Sequence, residues 1–265
     1  MNVVPSPDEP ASRPFGPLAS RTLGPDFASR PFGPELAEAN AELESASAED
    51  VLRWVLARFR GQRIGLSSAF GPEGCVLVDL VQRVTGPMGV QIPVYTIDTG
   101  YLFAASIDVR EAYRARGADI RVVEPLLTIR GQAERHGPDL FARDPDACCE
   151  IRKVEPMRRI LTLLDVWITA IRRDQSPTRE HTPILGTATR DDGSLVLKVA
   201  PLARWTRADT WQHLLDNELP YNRLLDEGFT SIGCEPCTRR PEADGNERDG
   251  RWAGQGKTEC GIHNL

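Results

Sequence analysis

The sequence predicts an α/β fold: a parallel twisted sheet with helices on both faces, followed by a C-terminal tail of different character. Three observations carry this expectation. Short apolar runs alternate with amphipathic stretches from about residue 50 onward. A small-residue turn joins the first apolar run to a helix, and after about Asp226 apolar residues thin out while Gly, Cys and charge accumulate. Strands alternating with helices of this length build βαβ units, and parallel strands need cover on both faces.

Residues 1–44 are rich in Pro, Gly, Ser and Ala, and Ser12-Arg-Pro-Phe-Gly-Pro17 recurs as Ser29-Arg-Pro-Phe-Gly-Pro34. Prolines at that density oppose both helix and central strand, so a disordered arm is expected, with a docking role for the Phe-containing hexapeptide as the alternative. Ser47 and Asp50 make a capping-box pattern ahead of Val51, Leu52, Val55, Leu56 and Phe59 at helical spacing. Residues 63–67 then read as a strand, 73–84 as a helix, 90–97 as a strand and 102–116 as a helix. Residues 120–124 and 166–171 are two further strands, separated by more helical sequence. The expected organisation is an arm over 1–44, an α/β domain over 45–233 and a C-terminal segment over 234–265.

At 265 residues, 40% hydrophobic and 26% charged, the chain has the length to bury a substantial core. Its net charge of −6 argues against general binding to nucleic acid or anionic membrane, and no apolar run approaches the length of a membrane span. An anion site must therefore come from local clusters, of which there are three: Arg152 with Lys153, Arg172 with Arg173, and Arg248 with Arg251. The N-terminus lacks a continuous apolar stretch and carries Asp8 and Glu9 early, unlike a signal peptide. In a cytoplasmic chain, six cysteines are more readily ligands or catalysts than disulfides.

After the first strand comes Ser67-Ser-Ala-Phe-Gly-Pro-Glu-Gly74. A small-residue turn feeding a helix N-terminus offers backbone N–H groups and a positive dipole end to an anion. It is neither a Walker A loop nor a GxGxxG fingerprint, and a βα turn without a ligand fits it equally well. The next strand ends in Ile97-Asp-Thr-Gly-Tyr101, and loops at strand C-termini frame ligand pockets in open α/β sheets. Cys148-Cys149 and Cys234-x-x-Cys237 form a four-thiol set able to ligate either an iron–sulfur cluster or zinc. Cys75 lies on an apolar helix face and reads as core. Cys260 sits in a polar tail where no core needs a small apolar side chain.

These loops resemble the adenylyl-sulfate reductases. So do Trp167-x-x-x-x-Arg-Arg-Asp-Gln-Ser176, Lys198-Val-Ala-Pro-Leu202, Pro220-Tyr-Asn222, Ser231-Ile-Gly-Cys-Glu-Pro-Cys237 and Lys257-Thr-Glu-Cys-Gly-Ile-His263, and the likeness spans roughly residues 50–265. The resemblance implies an adenine-nucleotide-binding α/β fold with the nucleotide over the first loop, contacted by Ser67, Ser68, Phe70, Gly71, Thr99 and Gly100. It implies that Cys148, Cys149, Cys234 and Cys237 hold a [4Fe–4S] cluster, as in the assimilatory branch that carries one. Lys153, Arg172, Arg248 and Arg251 would bind phosphate and sulfate, since guanidinium forks suit such oxygens, with His263 near the thiol. Cys260 would attack the sulfuryl group of an adenylyl sulfate, and thioredoxin or a glutaredoxin-like dithiol would then release sulfite. The chain is also expected to form homo-oligomers.

Two stretches depart from that family's pattern: Ala104-Ala-Ser106 follows the Asp98-Thr-Gly turn where Pro-Glu-Thr is usual, and Ala170 stands where glycine is usual. Both bear on nucleotide fit rather than on the cysteines. Three other readings compete. The first is a reductase that also takes the 3′-phosphorylated nucleotide. The second is an ATP-dependent sulfur transferase, which needs an SGG-x-DS loop this chain lacks. The third is an iron–sulfur sensor with no use for Cys260.

Overall fold

The computed structural model describes residues 34–242 and 246–265. The segment before Pro34, with all but the last residue of the repeated hexapeptide, lies outside them. Six strands form one sheet among the described residues: β1 (Ile64–Ser67), β2 (Val94–Ile97), β3 (Ile120–Val123), β4 (Val166–Thr169), β5 (Leu185–Thr189) and β6 (Leu195–Val199). Their order is β3-β2-β1-β4-β6-β5, parallel throughout except that β5 runs antiparallel to β6 at the edge. The chain leaves β1 towards β2 and β3, then returns to place β4 on the other side of β1. Strand order therefore reverses at β1, and the crevice outside its C-terminal end is where such sheets take ligands.

Helices cover both faces, as expected. On one face α2 (Ala48–Arg58), α3 (Pro72–Thr85) and α9 (Arg207–Asp216) pack on Leu66, Val94, Val166 and Ile168. On the other, Met157, Ile160 and Leu161 of α8 (Glu155–Thr162) meet Tyr95, Trp167, Ala188 and Val196. The alternation of Val166, Trp167 and Ile168 between the faces is the period-two geometry of a strand. Pro72 begins α3, whose Leu77, Leu80, Val81 and Val84 are almost completely buried, and each such side chain contributes about 1.5–3 kcal/mol. Ser47 caps α2 by accepting a hydrogen bond from the Asp50 amide at 3.1 Å. No helix among the described residues is long and apolar enough to cross a membrane.

Between β2 and β4 the chain forms α4 (Ala104–Ala115), α5 (Ile129–His136), α6 (Leu140–Arg143) and α7 (Pro145–Cys149). A single π turn, Glu150–Val154, then joins α7 to α8. Such widened turns recur at functional sites. Here Cys148, Cys149, Arg152, Lys153 and Val154 are all buried across it.

The expectation of a disordered arm reaching residue 44 is corrected by α1 (Pro34–Leu43). Proline is tolerated in a helix's first turn, and Ala39 and Leu43 are buried in the core. Asn40 fixes this helix to the sheet edge: its amide donates to the Leu185 carbonyl at 2.8 Å and accepts from the Leu185 N–H at 2.9 Å. β2 is shorter than the expected 90–97 because Pro93 precedes it without an N–H for the ladder. Asn40→Ala should therefore lower stability by about 1–2 kcal/mol, read as a fall in the thermal midpoint, whereas Asn40→Asp keeps only the acceptor half and should lie between.

Candidate active site

Ser67 ends β1 and Ser68 turns the chain towards α3. The Ser68 hydroxyl accepts the Phe70 N–H at 3.0 Å, which stabilises Phe70 at φ 54°, an unusual conformation for a side-chain-bearing residue. Gly74 lies so close beneath it that a Cβ there would stand 2.4 Å from the Ser68 oxygen. The turn thus sets Ser68 directly over the first turn of α3. Cys75 is core, as expected: burial pushes its thiol up to about 12, and it contacts the Phe70 carbonyl at 3.5 Å.

A cavity of about 240 Å³ opens beyond the C-terminal ends of β1, β2 and β4. Its floor is the 67–74 turn with Tyr95, Ile97, Thr99 and Thr169, and its far wall is the C-terminal segment from Thr230 to Cys234, Glu247 to Trp252, and Cys260 to His263. Lys153, Arg179, Arg248 and Arg251 line it. Room for Arg251 depends on Gly233, where a Cβ would sit 2.0 Å from the guanidinium. Arg251 and Lys153 also lie over the Trp252 ring, at 4.6 and 5.5 Å. Burial, with Arg179 beside it, pushes the Arg248 guanidinium down to about 10. So many cations in one poorly solvated space repel one another. Among the described residues Arg248 Nε, Arg251 Nε and His263 Nδ1 are sealed from solvent with no hydrogen-bond partner.

The tail that carries Cys260 is held by polar contacts on either side of it. The Glu259 carboxylate takes two bonds from Arg179, both 2.9 Å, and one from Arg248 at 3.1 Å. Burial alone would raise this carboxyl, but Arg179 and then Arg248 hold it below its ordinary range. His263 stacks on Trp167, with ring centroids 5.9 Å apart and planes within 8°. Burial and the nearby cations keep its imidazole well below the ordinary histidine value, so it is neutral. The Lys198 ammonium, pushed down to about 8 by burial and by Arg179, donates to the His263 carbonyl at 2.9 Å. Cys260 is partly exposed in this wall, within electrostatic reach of Lys153 and Arg248.

Beside the cavity, Cys148, Cys149, Cys234 and Cys237 line a second, smaller space with Tyr101, Phe141, Arg152 and Lys153. All four thiols are buried, and Cys149, Cys234 and Cys237 pack with Trp252 in a small cluster of their own. Thr99 Oγ1 lies 3.3 Å from the Cys234 sulfur. Among the described residues, no three His, Cys, Asp or Glu side chains converge closely enough to hold a single metal ion. Four soft thiol donors around one space are a donor set that an iron–sulfur group can use. Two further buried groups near the thiols, Arg152 Nη2 and Trp252 Nε1, lack hydrogen-bond partners among the described residues. Inorganic sulfide accepts such N–H bonds, so the residues fit the group.

Of the residues singled out in the sequence, Ser67, Ser68, Gly71, Thr99, Lys153, Arg248, Arg251, Cys260 and His263 meet around one cavity. Lys153 and Cys234 line both this cavity and the thiol-ringed space. Three do not arrive there. Phe70 turns away to pack on Tyr113, at 5.7 Å between centroids, and exposed Gly100 serves the turn after β2 at φ 74°. Arg172 is fully buried beneath the cavity, tied to Glu73 at 2.8 Å, to Glu247 at 2.9 Å and to Asp174. It braces the start of α3 against the C-terminal segment instead of facing a ligand. Arg179 was not singled out in the sequence, nor were Lys198 and Trp167 for more than the motifs they sit in. Arg179 stands in a short 3₁₀ turn, Pro177–Arg179, with no local pattern to mark it.

Residues 63–240 match the family described as the phosphoadenosine phosphosulfate reductase domain. A protein of Geobacillus kaustophilus named adenosine 5′-phosphosulfate reductase is 42% identical over 223 residues, covering 83% of this chain and 91% of its own. One of Bacillus subtilis named adenosine 5′-phosphosulfate reductase 2 is 38% identical over 216 residues, covering 81% of this chain and 88% of its own. Among solved structures, a phosphoadenylyl-sulfate reductase from Candida auris in complex with phosphate superimposes with a TM-score of 0.67 at 25% identity, over 79% of this chain and 99% of that one. The FMN adenylyltransferase of Candida glabrata shares the fold at a TM-score of 0.52 and 19% identity, over 78% of this chain and 75% of its own.

Removing the Arg172 guanidinium strands buried Glu73 and half-buried Glu247 without their shared cation. Arg172→Ala should therefore cost about 3–5 kcal/mol, seen as a large drop in denaturation midpoint, with Arg172→Lys recovering only part. Glu259 gives a pH signature. Its depressed carboxyl stabilises the docked tail fully above its ordinary value of 4.5, and that contribution is lost as pH falls through the lower value it has when docked. Hydrogen exchange at residues 258–263, corrected for intrinsic rates, should stay slow from pH 7 to 5 and accelerate below pH 4.5, whereas Glu259→Gln should exchange fast throughout.

Proposed function

We propose a reaction for this chain from the premise that it belongs to the phosphoadenosine phosphosulfate reductase domain family: thiol-dependent reduction of adenosine 5′-phosphosulfate to sulfite and AMP, within assimilatory sulfate reduction. The observation that carries the reading is the placing of Cys260. It shares one cavity with Lys153, Arg179, Arg248 and Arg251, beside the 67–74 turn at the C-terminal end of β1. The relatives named for the same reaction span most of the chain at 36–42% identity.

In this reading the 67–74 turn and Thr99 hold the nucleotide, and the four cations hold the phosphosulfate. Their charge offsets that of the bound dianion and makes the leaving phosphate less basic. A lone pair on the Cys260 sulfur attacks the sulfuryl sulfur, the bond from sulfur to the phosphate oxygen breaks, and its electron pair leaves with AMP. Cys260 is left as an S-sulfonate. A thiolate of an external dithiol, of thioredoxin or glutaredoxin type, then attacks the Cys260 sulfur, and sulfite departs with the electron pair of the sulfur–sulfur bond. The dithiol's second thiolate resolves the mixed disulfide, restoring Cys260 and oxidising the reductant by two electrons.

Cys148, Cys149, Cys234 and Cys237 would hold a [4Fe–4S] cluster. When bound, it would supply a compact negative charge and a rigid anchor for both thiol pairs. Lys153, which lines both spaces, would separate that charge from the substrate's. The 3′-phosphorylated nucleotide is the second substrate to weigh, because the family description and the Candida auris enzyme both carry its name. Turnover of the two nucleotides side by side decides between them.

The test is intact mass after incubation with adenosine 5′-phosphosulfate and no thiol. A sulfite-sized adduct confined to the tryptic peptide after Lys257 is expected, and Cys260→Ser should abolish both adduct and sulfite while leaving the iron–sulfur absorbance intact. An unmodified Cys260 in protein with a full cluster would overturn the assignment.

A further inference from the structure

The Ser67 hydroxyl has a partner that the reaction scheme does not use. Trp167, on the neighbouring strand β4, is fully buried, and its indole N–H donates to Ser67 Oγ at 2.7 Å. A hydroxyl has a single hydrogen. With its oxygen accepting from Trp167, that hydrogen is left for another partner, and Ser67 lines the cavity. The same indole carries the His263 imidazole stacked on it and lies 5.0 Å from the Lys198 ammonium, which in turn holds the His263 carbonyl. One rigid side chain thus touches both the nucleotide turn and the tail that bears Cys260.

We propose that Trp167 is a positioning residue that fixes the two halves of the site to each other: it sets Ser67 as a hydrogen-bond donor into the cavity, and with Lys198 it supports His263 and so places Cys260. This rests on the cavity being the nucleotide site. The two arms are separable, because the N–H serves Ser67 and the ring serves His263. Phenylalanine keeps a ring and has no N–H, so Trp167→Phe cuts the first arm and spares the second. Lys198→Met cuts the second and leaves the first.

Each arm has a readout that needs no turnover. Calorimetry with AMP reads the Ser67 arm. Ser67→Ala and Trp167→Phe should each weaken AMP binding about tenfold, the worth of one well-placed hydrogen bond, and the double variant should be no weaker than Ser67→Ala alone. Peptide-mapped alkylation of Cys260 by iodoacetamide, without nucleotide, reads the tail arm. Lys198→Met should speed it several-fold and Trp167→Phe should leave it near the wild-type rate. In turnover, Trp167→Phe should then raise KM more than it lowers kcat, and Lys198→Met the reverse. Retained cluster absorbance and far-ultraviolet circular dichroism confirm that a variant has folded. Losses that add in the Trp167→Phe, Ser67→Ala double variant, or Cys260 labelling unmoved by Lys198→Met, would overturn the proposal. A wild-type protein that makes no sulfite would instead sink the reaction assigned above, while AMP affinity and labelling still decide the coupling.

Discussion

Four cations gathered around one cavity are the constraint on which the site depends. Lys153, Arg179, Arg248 and Arg251 come from separate parts of the chain, and in such surroundings their repulsion would open the structure if nothing opposed it. The chain opposes it with carboxylates that arrive from equally distant places. Glu259 answers Arg179 and Arg248, while Glu247, held underneath by Arg172, lies beside the others. Trp252 adds an apolar face on which Arg251 and Lys153 rest. Residues 246–265, poor in core-forming side chains, are tied to the rest of the chain in part by this balance.

Much of the fold was legible in the sequence because it depends on short-range pattern. The alternation of strand and helix through β3 follows from apolar periodicity, and the paired cysteines announce themselves by spacing. The edge hairpin β5–β6 was not read, although Asp192-Gly193 between two β-prone runs is a turn signal that could have found it. Helix α1 was hidden by the prolines before it. Arg172 and Arg179 show the limit more sharply. They lie seven residues apart, one inside a conspicuous motif and one just beyond it, yet the first is sealed beneath the cavity and the second faces it. Which way each points is decided by the exit of β4 and by distant glutamates, and neither is visible locally.

The two sides of the cavity are built from different physics. The 67–74 turn leads into α3, whose apolar face is almost entirely buried in the core. The tail is held by ion pairs, one lysine-to-carbonyl bond, a ring stack, and the packing of Ile262 and Leu265 on the second core cluster. Such contacts are fewer and more local than the packed core under the turn. A nucleophile that must serve a bound nucleotide and then an external dithiol gains from sitting on the softer side.

The π turn at Glu150–Val154 carries a further consequence, for inheritance rather than for chemistry. It absorbs one residue more than a regular helix would between the tandem cysteines and α8, so that the thiols, Lys153 and the stripe of Met157, Ile160 and Leu161 are all buried together. Each residue of a helix is worth about 100° of rotation. A one-codon deletion here would swing the cysteine pair out of line with the sheet-facing stripe, and no side-chain change elsewhere could restore both. This stretch should accept exchanges of residue type far more readily than changes of length, and its spacing should drift more slowly in descent than its spelling.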